Sequence, residues 1–173
     1  MAADGGEGSG TTMIRAMAVT VSNRAAAGVY ADKSGPVLVE LLEELGCQVH
    51  GPVVVPDGEP VAEVLRRAVA DGYDVVVTTG GTGLTPTDQT PEMTRRVIER
   101  EVPGIADAIR LANREAVPTA ILSRGVAGVA GRTLIVNLPG STGGVRDGMA
   151  VLGPVLEHAV DQIGGGDHPR PAD

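Results

Sequence analysis

Val75–Thr94 reads VVVTTGGTGLTPTDQTPEMT, and how that stretch is parsed decides the fold. Val75 to Thr79 is a β-branched run, the composition of a buried strand. Gly80-Gly81-Thr82-Gly83 follows, where missing side chains let the backbone bend and come close to another group. Thr90-Pro91-Glu92 then fits a helix start, with a hydroxyl cap, proline at the first helical position and a carboxylate in the first turn. Strand, glycine turn and helix form a βα unit. Its turn can cradle an anion on free backbone N–H groups, or it can serve tight geometry alone.

The same alternation recurs on both sides. Arg15–Ser22 (RAMAVTVS) is a first strand, followed by a long polar loop through Lys33. Gly35-Pro36 opens a helix that carries Val37, Leu38, Leu41, Leu42 and Leu45 on one face and ends at Gly46. Gln48–Val55 is the second strand, and Pro52, which cannot donate to a ladder, puts it at a sheet edge or starts it at Val53. Val61, Val64, Leu65, Ala68 and Val69 mark the next helix, up to Gly72. Beyond the central stretch, one helix is predicted from Pro91 to about Glu101 and another through Ile105, Ala108, Ile109 and Ala112. Short strands or a hairpin are predicted over Pro118–Ser123 and Gly125–Ala130. A strand at Thr133–Leu138 and a helix from Thr142 to Ile163, which Pro154 should kink, complete the pattern.

Such alternation predicts an α/β three-layer sandwich with a mainly parallel sheet. In sheets of this kind ligands bind beyond the carboxyl ends of the strands. The turns at Ser22, Asp57, Gly80–Asp88 and Asn137–Ser141 should therefore share one rim.

Composition narrows the function. A length of 173 residues suits one domain, assigned to 13–163, while the glycine-rich polar ends at 1–12 and 164–173 are expected to be disordered tails. The net charge of −8 argues against a nucleic-acid partner, which needs a basic face. Cys47 is the one cysteine and the three histidines are scattered, so neither an internal disulfide nor a Cys/His metal cluster is supported. No apolar run reaches the roughly 20 residues of a membrane helix, and no basic-then-apolar leader opens the chain. No membrane partner and a cytoplasmic location are therefore expected.

Several residues have two readings. Asp57 before a helix can be an N-cap, and Asp88 can simply fix its loop. If both lie on the rim, the pair can orient Mg²⁺ on a nucleotide, because Mg²⁺ is commonly held by one or two carboxylates plus substrate phosphates. Asn137-Leu138-Pro139-Gly140-Ser141 repeats the strand, turn and helix-start layout and can receive a phosphate. Ser123-Arg124 is a strand-end hydroxyl turn and salt bridge, or an anion contact. Cys47 fits a small buried hydrophobe. The glycine turn lacks the Gly-Lys-Ser/Thr ending of a P-loop.

Taken together, TTGGTGLTPTDQTPE, REVPG, PTAILSR, GVAG and NLPGS resemble the molybdenum-cofactor biosynthesis proteins of the MogA/MoaB family, with similarity to the corresponding domains of gephyrin and the plant cofactor protein. The resemblance spans Met13 to Ile163, including Ser22, Arg24 and the Pro56-Asp57 turn. It implies a homotrimer that uses Mg²⁺ and ATP to adenylylate molybdopterin, releasing pyrophosphate and passing the product to a MoeA-like molybdenum-insertion protein. By motif, it implies catalytic and Mg²⁺-binding roles for Asp57 and Asp88. It implies substrate contacts at Ser22, Gly80, Gly81, Thr82, Gly83, Ser123, Arg124, Asn137, Pro139, Gly140 and Ser141. Two positions depart from the pattern: Thr87 stands where adenylylating members commonly carry arginine, and Asn113 where the plant domain has a serine. A non-catalytic MoaB-type molybdopterin-binding scaffold is the alternative, and a relative of the CinA-type domain a third. The apolar Val126–Ala130 segment would suit a subunit contact.

Overall fold

The computed structural model describes residues 13–166. The expected tails at 1–12 and from 167 onward lie outside the described residues, and Gly164–Gly166 follow the last helix as a turn. Four strands lie parallel in the order β2 (Gln48–Val55), β1 (Arg15–Val21), β3 (Val75–Thr79) and β6 (Thr133–Leu138). Beyond β6 the sheet continues antiparallel through β5 (Ala127–Ala130) and β4 (Arg100–Glu101). This is the mainly parallel α/β sheet expected from the alternation.

Side-chain alternation builds the layers, because successive strand residues face opposite sides. Ala16, Ala18, Val75, Val77, Leu134 and Val136 pack under α2 (Ser34–Glu44), α5 (Pro103–Leu111) and α6 (Thr142–Ile163). Met17, Val19, Val76 and Ile135 face the other way, toward α3 (Glu59–Ala70) and α4 (Thr90–Arg95). Every residue of β3 is buried, as a strand covered on both faces must be. Apart from Met17, Cys47 and Met149 the buried core is aliphatic, with Leu38, Leu42, Leu65 and Leu152 fully enclosed. Pro52 sits in β2, an edge strand as expected, and the pairing with β1 slips by one residue between Met17 and Val19.

Four local expectations are corrected. The polar loop after β1 begins with a short helix, α1 (Asn23–Ala26), capped by the Ser22 hydroxyl, which accepts from the Ala25 N–H. α4 stops at Arg95 instead of near Glu101, because the chain leaves it to pair Arg100 and Glu101 with β5. Pro118–Leu122 is a 3-10 helix with no buried residue, and the hairpin is formed by β5 and β6 instead. Val126, Ala127, Val129 and Ala130 are buried within the chain itself, so that segment is not available for a subunit contact.

Asn137 is corrected as well. Its side chain is buried in β6. The Nδ2 group donates to the hydroxyls of Thr78 on β3 and Thr94 on α4, and Oδ1 accepts the Val126 N–H. It ties strand, helix and hairpin together, and both Nδ2 hydrogens are used within the protein. Asn137→Leu would strand one N–H and two hydroxyls, and the expected loss is about 3 kcal/mol or more, read as a lower urea midpoint with an unchanged slope.

Candidate active site

Strand order reverses between β1 and β3: the chain moves to β2 on one side of β1 and then returns to β3 on the other. At such a switch the loops leaving two neighbouring strands diverge and open a crevice at their carboxyl ends. A cavity of about 680 Å³ lies there, lined by Thr20–Arg24, Tyr30–Ser34, Asp57, Thr79–Gly81, Thr87, Asp88 and Gly140–Thr142. The expected rim is therefore real. Ser22, Asp57, Gly80, Gly81, Asp88, Gly140 and Ser141 meet in one cavity.

The glycine turn is dictated by crowding. Gly80 has φ +100° and Gly81 φ +69°, backbone states that side chains resist. A Cβ on Gly80 would press into the Val21 carbonyl, and one on Gly81 into the Thr90 hydroxyl and the Asp57 carboxylate. β3 can thus turn directly beneath the end of β1. The Thr90 N–H donates to the Gly81 carbonyl at 3.1 Å. Thr90 is the first residue of α4 rather than its hydroxyl cap, and its buried Oγ1 has no hydrogen-bond partner among the described residues.

Asp57 is not a helix cap either. Gly58 caps α3 without a side-chain bond, while Asp57 Oδ1 accepts the N–H groups of Gly58 at 2.8 Å and Gln89 at 3.0 Å. The Asp57 N–H in turn donates to Asn23 Oδ1 at 2.9 Å. These bonds fix the carboxylate between α1 and the glycine-loop arm, and no cation pairs with it among the described residues. Desolvation raises the Asp57 pKa above its ordinary value. The two backbone N–H groups pull it back, and the charges of Asp88 and Glu92 push it up again.

Asp88 ends the same arm. Its Oδ2 accepts the Thr85 N–H and the Thr85 carbonyl accepts its N–H, closing a small turn. Arg124 staples the arm from beneath: Nε donates to the Gly83 carbonyl, Nη2 to the Asp88 carbonyl, and Nη1 pairs with Glu92. That pair holds the Glu92 carboxyl below its usual range. Each of the three guanidinium nitrogens of Arg124 thus makes a bond within the protein.

Other expected contacts lie apart from the main cavity. Ser123 and Arg124 line a smaller depression of about 330 Å³ with Arg95 and Arg110. Thr82 is buried, and its carbonyl accepts the Arg124 N–H. The Pro139 carbonyl accepts the Thr79 hydroxyl at 2.7 Å.

Two helices point their N-termini at the main cavity, with opposite consequences. At α2, Asp32 already occupies the end, with Oδ1 accepting the Gly35 N–H and Oδ2 accepting the Thr20 hydroxyl. At α6, Ser141 caps only the Gly144 N–H, no acidic residue stands in the first turn, and Ser141 and Thr142 line the cavity. The positive end of this long helix is the stronger anion site. Arg24 and Lys33 supply the cationic side chains of the lining. Asn23, Tyr30, Asp32 and Lys33 escaped the sequence reading. Their signal was the only aromatic residue in an otherwise polar loop after the first strand.

Residues 17–158 match the family described as "Probable molybdopterin binding domain". A molybdopterin adenylyltransferase of Helicobacter pylori is 38% identical over 84% of this chain and 85% of its own length. A solved structure of MogA superposes with a TM-score of 0.85 at 58% identity, covering 86% of this chain and 99% of that one. The molybdopterin biosynthesis Mog protein of Mycobacterium ulcerans does so at 0.84 and 52%, over 89% and 99%.

The Asp57 environment carries a pH test. A raised folded-state pKa means that folding is favoured below the ordinary carboxylate value, and that this advantage is lost as pH rises through the raised value. Asp57→Asn keeps the Oδ1 acceptor for both N–H groups without the charge. Urea denaturation should find the variant at least as stable as the parent at pH 7, with a gap in its favour that shrinks toward about pH 4. A parent more stable than the variant at pH 7 would contradict this.

Proposed function

The chain belongs to the molybdopterin-binding domain family matched by residues 17–158, and on that premise we propose that it is a molybdopterin adenylyltransferase of molybdenum cofactor biosynthesis. The terminal phosphate oxygen of molybdopterin attacks the α-phosphorus of ATP. One P–O bond forms, the α–β bridge breaks, and pyrophosphate leaves with the bonding electrons. Such a transfer asks the protein for alignment and charge neutralisation and requires no covalent nucleophile.

The observation that carries this reading is the meeting of Asp57, Asp88, the glycine turn and the α6 N-terminus around one cavity. In it, the α6 N-terminus at Ser141 and Thr142 receives a phosphate, and the turn at Gly80–Gly81 lets a second phosphate-bearing partner approach the backbone. Arg24 and Lys33 neutralise charge on the open side. They supply cations from the loop after β1, whereas position 87 holds an exposed threonine.

The residues fit Mg²⁺. Asp57 Oδ2 accepts no hydrogen bond among the described residues, since both donors go to Oδ1, and Asp88 lies in the same lining. Among the described residues no group of three or more His, Cys, Asp or Glu side chains can hold a metal alone, a donor set suited to an ion shared with substrate phosphates. Bound there by Asp57 and Asp88, Mg²⁺ would neutralise charge on the phosphates. A scaffold that only held molybdopterin would gain nothing from an unpaired carboxylate whose charge burial disfavours. That is the reason to prefer the enzyme over the MoaB-type scaffold.

Self-association as a homotrimer is part of the proposal. Leu111, Val117, Ile121 and Leu122 are large, apolar and exposed within one short span, which supports a subunit contact around α5 and the 3-10 helix. No helix among the described residues is long and apolar enough to cross a membrane. The proposed setting is the cytoplasm, with a MoeA-like insertion protein receiving the product.

Incubating the protein with molybdopterin and Mg-ATP should release pyrophosphate and yield adenylylated molybdopterin. Asp57→Asn and Asp88→Asn should each still bind molybdopterin but lose at least about a hundredfold in turnover. Absence of product where a known adenylyltransferase works would refute the enzymatic reading. Undiminished turnover in either variant would refute the roles of the two acids.

A further inference from the structure

One feature of the cavity plays no part in the phosphate chemistry. Tyr30 is one of two tyrosines in a chain without phenylalanine or tryptophan, and it is 58% exposed on the cavity lining. Burial energy did not place it there. Neither is it loose: the Arg24 guanidinium lies 5.2 Å from its ring centroid and donates to its hydroxyl at 2.9 Å. The chain around it is tied to α1, because the Val29 and Tyr30 N–H groups both donate to the Arg24 carbonyl.

We propose that Tyr30, braced by Arg24, is the platform on which the nucleobase of the bound nucleotide stacks, and so a specificity-determining residue of the cavity. This rests on the nucleotide-transfer reading above. An aromatic ring set at a phosphate-binding cavity offers a base its π face, and a guanidinium beside it adds to the attraction. The same short helix also fixes the distance between the two ends of the ligand. Asn23 holds the Asp57 N–H at one end of α1, and Arg24 holds the Tyr30 ring beside it. The phosphates lie at Asp57 and the base at Tyr30. Among the described residues, no other side chain of the cavity lining offers an aromatic surface.

Calorimetric titration with ATP and with inorganic tripolyphosphate, both with Mg²⁺, separates base from phosphate recognition. Tyr30→Ala should weaken ATP about tenfold or more while changing tripolyphosphate less than about twofold, and Tyr30→Phe should keep most of the ATP affinity. In Tyr73→Phe protein, Tyr30 is the sole tyrosine, and its emission should fall with ATP and not with tripolyphosphate. Equal weakening of both ligands in Tyr30→Ala would make the residue a mere brace of the loop, and no weakening of either would remove it from the site. Either result overturns this proposal alone. A parent protein that binds tripolyphosphate as tightly as ATP also overturns it, whereas one that binds neither overturns the nucleotide reading beneath it.

Discussion

The structure hinges on how closely β3 passes beneath β1 as it leaves the sheet. Gly80 and Gly81 turn with positive φ in space bounded by the Val21 carbonyl, the Thr90 hydroxyl and the Asp57 carboxylate. No Cβ fits in that space. Because the turn is this tight, the arm that follows comes back over the rim, where the Gln89 N–H reaches Asp57 and Asp88 joins the same cavity. Arg124 then holds the arm by two carbonyls and Glu92.

Charge is distributed to match. The α2 N-terminus is neutralised internally by Asp32, while the α6 N-terminus is left open. Asp57 keeps a carboxylate that burial disfavours and that no cation offsets among the described residues. A protein of net charge −8 can still hold polyphosphates under these conditions. The proposed attraction is local, from backbone N–H groups and a few cations, with the counter-charge for the acids supplied by what the ligand would bring.

The layered sheet was legible in the sequence because each long element carries its own period. Thr133–Leu138, Gln48–Val55 and Thr142–Ile163 have the bounds read from pattern alone. What misled the reading were short pieces whose state is set by tertiary pairing. Arg100-Glu101 is a strand only because β5 lies beside it, and Pro118–Leu122 has apolar residues that the fold leaves outside. The rim of the site was legible as four turns on one edge, but the partners of its side chains were not. Asn137 belongs to a polar turn in sequence and to the core in space, and Arg124 supports a loop some forty residues earlier in the chain. Tyr30 and Asn23 were hidden in a loop whose short helix has no periodic signature.

Asp57 and Asp88 are proposed to accept the metal-bearing form of a nucleotide at this rim. Calorimetric measurement of ATP binding with Mg²⁺ and with a chelator tests it directly. Mg²⁺ should tighten binding by about tenfold or more in the parent protein, since two carboxylates otherwise face the bare polyphosphate. In the Asp57→Asn, Asp88→Asn double variant that dependence should largely vanish. Equal affinity for ATP with and without Mg²⁺ in the parent, or a Mg²⁺ dependence that survives intact in the double variant, would contradict it.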